Sequence, residues 1–203
     1  MRSFGFFLLG ILALLILEAA AGGIVLKSAH GWTARDTPTR IERWLARAAR
    51  HAAIPSDAKM RTNPVPNTPE NIAEARAHWA DHCATCHAND GSGEIKMGQS
   101  MYPHAPDMRN YDTQHLSDGE LFYIIQNGVR LTGMPAWGGG SDHDAEDSWK
   151  LVHFIRRLPS LTTEEKLEME MLNPKGPEDR KEEEEEQKFL RGDTTDAPDT
   201  HHH

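Results

Sequence analysis

The sequence predicts an all-α protein with an N-terminal apolar helix, a small helical domain and a charged C-terminal extension. Apolar residues recur at helical spacing in several separate segments, and helix-capping residues precede some of these segments. No pattern typical of a parallel sheet is visible. Only 38% of the 203 residues are hydrophobic, and many of those lie among the first 26. The folded core must therefore be small, and a buried cofactor would help to fill it.

Charge is spread unevenly along the chain, whose net charge is -9. Residues 1–67 carry 9 basic and 4 acidic side chains, a balance of +5. Residues 68–159 have a balance of -6, and residues 160–203 one of -8. The three regions are thus expected to have different roles. The acidic middle region has no basic patch with interleaved aromatic residues, so nucleic acid is excluded as a partner.

The N-terminal stretch Phe4–Leu26 is almost entirely apolar and has two interpretations. A secretory signal would have its apolar core at Phe4–Leu17 and its cleavage site at Ala19-Ala20-Ala21. A retained anchor would use the whole stretch, whose length is about enough to cross a bilayer. We favour the anchor, assigned to residues 1–27, because the apolar run continues past the cleavage site to Leu26.

Two features oppose the anchor or its orientation. Glu18 would place a carboxylate inside the membrane, which is costly. Basic residues between Lys27 and Arg61 follow the apolar segment, although positive charge usually stays in the cytoplasm. Both interpretations nevertheless send the rest of the chain across the membrane.

Residues 28–67 are predicted to hold an amphipathic helix and a linker. Thr37-Pro38 supplies a helix N-cap followed by a proline at the first helical position. The helix would either lie on an anionic membrane surface or pack its apolar stripe on the domain or a partner subunit. The stretch Ile54–Pro69 contains four prolines and is expected to be a semi-rigid linker. The apolar stripe comprises Ile41, Trp44, Leu45, Ala48, Ala49 and Ala52, and the neighbouring basic stripe Arg40, Arg43, Arg47 and Arg50.

Residues 68–159 are predicted to form the globular domain. Its first helix, capped by Thr68 or Asn71, should run to about His82. A capping box of Ser117 and Glu120 should begin the second helix, which Gly128 would end. The last helix is expected over about Ala145–Leu158. The intervening loops are expected at Gly91–Gly93, Tyr102–Asn110 and Val129–Trp137, and the apolar helix positions are Ile72, Ala75, Trp79, Ala80, Leu121, Phe122, Ile124, Ile125, Trp149, Leu151, Val152, Phe154 and Ile155.

Residues 160–203 form the charged extension, which is expected to be acidic and partly disordered. Thr163–Leu172 can form a short helix, whereas Glu178–Glu186 is almost all charge and cannot bury enough apolar surface to fold alone. The extension is either a solvated segment or a docking tail for a basic partner. His201–His203 is given no metal role.

The chemistry of the chain centres on Cys83-Ala84-Thr85-Cys86-His87. Two thiols three residues apart, followed by a histidine, form the pattern for covalent attachment of a c-type haem, in which each thiol adds to one vinyl group. These are the only two cysteines of the chain, which excludes a zinc site of four cysteines. A disulfide would leave His87 unexplained. A thioredoxin-like pair would need a strand before it, whereas a helix is predicted there.

With these motifs, the segment from about residue 68 to residue 159 resembles the class I c-type cytochromes. Asn127–Trp137, which contains Gly133-Met134-Pro135, is similar to the segment that carries the distal haem ligand in that family. Ala75 and Trp79 stand where the family has a small residue and an aromatic, expected to pack near Leu151 and Phe154. Ala105-Pro106-Asp107-Met108 resembles a Gly-Pro-x-Leu turn of the family, with alanine in place of glycine.

The resemblance implies one covalently bound haem c, with His87 as the proximal ligand and Met134 as the distal one. Met134 stands apart from Met97, Met101 and Met108 because Gly133 and Pro135 constrain it. The Pro106 carbonyl is expected to accept a hydrogen bond from the His87 ring, which would fix the ring's orientation. Trp137 and Arg130 either lie near the haem propionates or are a core residue and a solvated one. Further histidines, expected to be surface or hydrogen-bonded residues, are His104, His115, His143 and His153.

The predicted function is one-electron transfer by a membrane-anchored bacterial monohaem cytochrome c. Because haem attachment to this motif occurs outside the cytoplasm in bacteria, the haem domain should face the periplasm from the inner membrane, and its partners should be redox proteins or a membrane complex. One alternative is a permanent electron-transfer subunit of a respiratory or photosynthetic complex. A further alternative is a haem enzyme or gas sensor with an open sixth site.

Overall fold

The computed structural model describes residues 2–28 and 33–176, together with positions 181, 184, 185, 187, 188, 190 and 191. The regular secondary structure of these described residues is helical, and none of them forms a strand. The predicted all-α class is therefore confirmed. Most of the stretch 178–186 and all of His201–His203 lie outside the described residues.

The apolar N-terminal stretch forms one helix, α1, over Arg2–Ser28. Its segment Phe4–Lys27 is long and apolar enough to be a candidate membrane span, and none of it is buried. At 1.5 Å per residue a helix of that length measures about 36 Å, which exceeds the roughly 30 Å thickness of a bilayer's hydrocarbon core. A signal sequence would have the same properties, so the choice between cleavage and retention remains a prediction.

Helix α2 spans Arg40–Ala53 and begins later than predicted. Its N-cap is Thr39 rather than Thr37. The Thr39 hydroxyl accepts a hydrogen bond from the Glu42 amide, and the Glu42 carboxylate accepts one from the Thr39 amide. This capping box satisfies two helix-end amides at once, whereas Thr37 has no carboxylate or amide side chain three residues later.

The predicted linker is partly folded. A short helix, α3, spans Ser56–Lys59, and both Ile54 and Ala58 are buried. The Ala58 carbonyl lies so close to Gly119 that a side chain at Gly119 would overlap it. The domain therefore begins to pack within the proline-containing stretch 54–69. Ile54 and Ala58 supply apolar surface there that the proline pattern does not indicate.

The first domain helix continues directly into the cysteine motif. Helix α4 spans Pro69–His78, with Thr68 as its N-cap and proline at its first position. A π-helical turn follows over Trp79–Cys83, and α5 covers Ala84–His87. The wider turn adds a residue to the helical path immediately before the motif, and such π-bulges often occur at functional sites.

Two longer helices contribute most of the remaining core residues. Two short helices, α6 over Lys96–Gln99 and α7 over Tyr111–Gln114, precede them. Helix α8 spans Asp118–Asn127 and has the predicted capping box, with Gly128 at its end. Helix α9 spans Asp142–Arg157 and begins three residues earlier than predicted, because Ser141 and Asp144 form another capping box. The predicted apolar positions that are buried are Ala75, Trp79, Ala80, Leu121, Phe122, Ile125, Trp149, Leu151, Val152, Phe154 and Ile155.

Aromatic side chains hold these helices together. Trp79 of the π turn packs against Phe154 of α9, with ring centroids 5.6 Å apart. Phe122 of α8 stacks on Trp149 of α9 at 4.0 Å. Ala75 belongs to the same core cluster. The predicted packing of the motif-bearing helix on the last domain helix is thus confirmed.

The beginning of the charged extension packs on the domain. A turn of 3₁₀ helix at Leu158–Ser160 leads to α10 over Thr163–Leu172, which confirms the short helix predicted there. Leu158 and Met169 are buried in the core cluster. Glu165 of α10 pairs with Arg157 at 2.7 Å, so charge as well as apolar surface holds this helix in place.

Candidate haem site

The two cysteines lie on one side of a helical path. Cys83 ends the π turn, and Cys86 lies in α5 one turn later. Side chains three residues apart on a helix project from the same face. Both thiols are half-buried and neither is part of a disulfide. Burial, and then the neighbouring Cys86, raise the pKa of the Cys83 thiol to about 12, whereas a reactive thioredoxin-like pair has a lowered pKa.

His87 presents a ring suited to binding a metal ion. His87 is half-buried, and its Nδ1 is buried without a hydrogen-bond partner. The ring centroid of Trp79 lies 5.8 Å away. Burial lowers the pKa of the His87 imidazole to about 4. The ring is therefore neutral at physiological pH, and the neutral ring is the form that binds metals.

The residue after the motif has a strained backbone. Ala88 has φ 61° and ψ 162°, a region that essentially only glycine adopts. Its carbonyl accepts hydrogen bonds from the Trp79 indole at 3.1 Å and from the Gly91 amide at 3.2 Å. The Gly93 amide donates to the His87 carbonyl at 2.9 Å. These bonds fold the following turn back onto His87, and no feature of the sequence pattern identified Ala88.

The loop around Pro106 covers this turn. The Met108 amide donates to the Gly91 carbonyl at 2.8 Å. The Arg109 guanidinium pairs with Asp90 at 2.7 Å and with Asp107 at 2.9 Å. The loop and the turn are thus joined by a backbone hydrogen bond, from Met108 to Gly91, and by the Arg109 guanidinium, which pairs with a carboxylate of each.

The hydrogen bond predicted between His87 and the Pro106 carbonyl is not formed. The His87 Nδ1 has no partner, and Pro106 is exposed. The Pro106 carbonyl instead lies against Gly93, where a side chain would stand 3.2 Å from its oxygen.

Met134 lies in a tight loop held by its own hydrogen bonds. The Val129 amide donates to the Met134 carbonyl at 3.1 Å, and the Met134 amide donates to the Thr132 hydroxyl oxygen at 3.1 Å. The Thr132 hydroxyl donates to the Val129 carbonyl at 2.7 Å. Gly128, with φ 65° and ψ -169°, begins this loop in a conformation essentially reserved for glycine. Met134 itself is half-buried.

Of the rival methionines, Met101 lies closest to this loop. Its sulfur contacts Gly133, where any side chain would overlap it. Met97 is exposed, and Met108 is packed against the core cluster. The structure therefore places the Met101 thioether against the loop that carries Met134.

Trp137 and Arg130 lie in different surroundings. The Trp137 ring meets the His82 ring edge-on, with the ring centroids 5.4 Å apart. The backbone amide of Trp137 donates a hydrogen bond to the Ile125 carbonyl at 3.0 Å. Since His82 precedes Cys83, this contact joins the Met134 loop to the motif-bearing helix. Arg130 is exposed.

The other histidines follow the predictions with one exception. His153 bonds to the Val65 carbonyl at 2.8 Å, and His143 pairs with Asp147 at 3.0 Å. His115 stacks on Tyr111. His104 differs from the prediction, because its Nε2 is buried without a hydrogen-bond partner.

These residues fit a covalently attached haem. Two free thiols share a helix face, a neutral imidazole has a buried nitrogen without a partner, and a thioether loop contacts the same helix. The arrangement, on an all-helical core, is that of a c-type cytochrome.

Comparison with known protein families narrows the class of cytochrome further. Residues 70–155 match the family model for cytochrome C oxidase, cbb3-type, subunit III. This segment is a c-type cytochrome domain, and its cofactor is a covalently bound c-type haem. A search of the curated proteins gives no match for the chain.

Proposed function

We propose that the chain is a membrane-anchored one-electron carrier whose haem domain faces the periplasm from the bacterial inner membrane. The observation that carries this proposal is the cysteine motif of a cytochrome c domain on the same chain as a candidate membrane span. Haem attachment to such a motif occurs outside the cytoplasm in bacteria, which supports the orientation. A single motif supports one haem.

Cys83 and Cys86 would hold the haem covalently, and His87 and Met134 would be its axial ligands. The haem supplies an iron that changes oxidation state by one electron, and a histidine–methionine pair raises its potential relative to two histidines. Trp137 would lie beside the haem, since its ring already contacts the helix that carries the cysteines. Arg130, which is exposed, would reach a propionate only from solvent.

The chain's contribution to electron transfer is to keep the ligands in place. The bonds of Trp79 and Gly91 to the Ala88 carbonyl fix the backbone beside His87. The bonds among Val129, Thr132 and Met134 do the same for the other ligand. An electron carrier benefits from such rigidity, because little rearrangement then accompanies a change of charge.

Substitution of Met134 or Met101 by alanine tests which methionine is the sixth ligand of the haem iron. The ferric wild-type protein should show the near-infrared charge-transfer band of methionine-ligated haem. We expect Met134→Ala to abolish this band and lower the reduction potential, whereas Met101→Ala should keep the band. Loss of the band in Met101→Ala alone would assign the sixth position to Met101. A wild type without the band that binds carbon monoxide readily would contradict the electron-carrier proposal and support a haem enzyme or gas sensor.

The family match favours a second candidate function. The matching family model describes a subunit of a cbb3-type oxidase. The chain would then be a permanent electron-transfer subunit of a larger membrane complex. Mild solubilisation followed by native electrophoresis separates the two candidates, because a mobile carrier migrates alone and a subunit migrates with partners.

A further inference from the structure

Helix α2 carries an apolar stripe that the domain leaves uncovered. Ile41, Trp44 and Leu45 are 71%, 67% and 53% exposed, and no residue of α2 is buried. Ala48 and Ala52 continue the stripe along the helix and are exposed too. At 1.5 Å per residue the 14-residue helix is about 21 Å long. An apolar face of this length in water normally has a partner.

Polar side chains of α2 fasten it to the haem domain. Arg47 pairs with Asp112 at 2.5 Å, and His51 lies 2.9 Å from the Glu120 carboxylate. The Tyr102 hydroxyl donates to the Glu42 carboxylate at 3.3 Å. At 100° per residue Arg47 lies about 160° around the helix from Leu45. The domain therefore holds α2 through polar side chains, and the apolar stripe stays exposed.

The position of α2 in the chain indicates what covers this stripe. Eleven residues, 29–39, separate α2 from the end of α1. A chain of that length spans at most about 40 Å when fully extended. If α1 is retained as an anchor, α2 is thus held close to the membrane surface on the side where the domain lies.

The composition of α2 fits the same surface. Trp44 combines an apolar ring with a polar nitrogen, which suits the boundary between lipid headgroups and acyl chains. Arg40 is exposed about 40° around the helix from Trp44, beside the stripe, and would meet anionic headgroups. Residues 68–159 carry a net charge of -6 and would be repelled by such headgroups. The cationic helix would then lie between two negative surfaces.

We propose that α2 lies in the interface of an anionic membrane, with its apolar stripe in the lipid and its polar face on the haem domain. The inference rests on the proposed retention of α1. It goes further than anchoring, because a helix in contact with both lipid and domain fixes the orientation of the domain. The side of the domain that carries Asp112 and Glu120 would face the membrane.

Spin labels on the full-length holoprotein test this placement. Leu45→Cys on the stripe and Ala46→Cys on the polar flank, about 100° around the helix from Leu45, form a matched pair. Each variant is labelled with a nitroxide after haem attachment and reconstituted in vesicles of phosphatidylcholine and phosphatidylglycerol in equal parts. Collision rates with oxygen, which concentrates in lipid, and with a water-soluble nickel chelate are then measured. Wild type treated with the label is the control for native thiols, and Ile41→Cys replaces Leu45→Cys if that variant fails to take up haem.

The expected result is a label at Leu45 that oxygen reaches and nickel does not, with a label at Ala46 that shows no such preference for oxygen. A Leu45 label open to nickel would place the stripe in water and overturn the proposal. A Leu45 label shielded from both reagents would overturn it in favour of a second protein copy on the stripe. Equal lipid burial in pure phosphatidylcholine would overturn the requirement for anionic lipid.

Vesicle flotation separates this proposal from that of the anchor. A holoprotein that does not float with the vesicles has no retained anchor, which contradicts the proposed membrane attachment and this placement together. A floating protein with a water-exposed Leu45 label contradicts the placement of α2 alone.

Discussion

Gly128 is the residue on which the geometry of the Met134 loop depends. Its backbone has φ 65° and ψ -169°, and a side chain there would lie 2.6 to 2.7 Å from backbone atoms of Met134, Pro135 and Ala136. Those atoms belong to the loop itself and cannot move aside without displacing Met134. Gly128 therefore acts both as the end of α8 and as a support for the proposed ligand.

We predict that Gly128→Ala weakens the Met134 site as well as the fold. Backbone strain at such a residue costs about 1–3 kcal/mol, and overpacking adds about 1–3 kcal/mol. The near-infrared band of the ferric protein should diminish, and denaturant unfolding should occur at lower concentration.

Gly140→Ala is the matched control for this change. Gly140 also has a positive φ, of 85°, but a side chain there would meet nothing within 4 Å. This variant should show the strain alone, a loss of about 1 kcal/mol, with the band intact. Equal loss of the band in both variants would refute the role given to the clash at Gly128.

Among the elements, α10 contributes more than its charged sequence indicated. Met169 is fully buried against the domain, whereas Met171, two residues later on the same helix, is 73% exposed. The carboxylate of Glu165 lies between Arg157 and Arg76. One buried thioether and one shared carboxylate thus attach the helix to α4 and α9.

Substitution of the two methionines should separate packing from helix propensity. Met169→Ala should lower the free energy of unfolding by about 2–5 kcal/mol, as is usual for a buried methionine. Met171→Ala should change it by less than about 0.5 kcal/mol, because exposed side chains contribute little. Urea unfolding followed by circular dichroism measures both values, and similar losses in the two variants would mean that α10 does not dock as described.

Glu165 should make the attachment of α10 sensitive to acid. Burial alone would raise the pKa of this carboxyl, but the Thr162 amide and the Arg157 guanidinium lower it below its ordinary value of 4.5. A carboxylate with a lowered pKa stabilises the folded state fully above the ordinary value and loses that effect as the pH falls through the lowered one.

We therefore expect wild type to be more stable than Glu165→Gln at neutral pH, with the difference shrinking as the pH falls below about 4.5. Urea unfolding of both proteins across this range is the measurement. The comparison cancels the titration of other groups, which the two proteins share. A difference that stays constant into acid would show that the charge of Glu165 is not what holds α10.

At the scale of the whole molecule, the chain carries an excess of negative charge. The chain has a net charge of -9, while the basic stretch before the domain directs Arg47 and His51 toward domain carboxylates. A cationic partner is therefore favoured at long range, within the distance over which salt screens charge.

Electron exchange with small reagents should show this preference. The rate with hexaammineruthenium, a cation, should fall as salt is added, and the rate with ferricyanide, an anion, should rise. Changes of about tenfold between low and physiological salt are typical of electrostatic steering. Stopped-flow measurements on the detergent-solubilised protein give both rates, and equal salt dependence for the two reagents would contradict the prediction.

Local patterns in the sequence allowed much of the fold to be predicted. The capping box at Ser117 and Glu120 and the apolar spacing of Ala75 and Trp79 depend on neighbours within one or two helical turns. The starts of α2 and α9 do not follow from the pattern because competing caps stand close together, at Thr37 and Thr39 and at Ser141, Asp142 and Asp144. The burial of Ile54 and Ala58 was missed because it depends on Gly119, which is distant in sequence.

The sequence by itself determined the helical class, the cysteine motif with His87, and the candidate span at the N-terminus, because each depends only on the spacing of residues that are close together in the chain. The tertiary structure decided what depends on distance across the fold. It left the His87 ring without the Pro106 carbonyl as its acceptor, and it brought Met101 beside the Met134 loop. It also left the apolar stripe of α2 exposed, because Asp112 and Glu120 hold that helix through the polar side chains of Arg47 and His51.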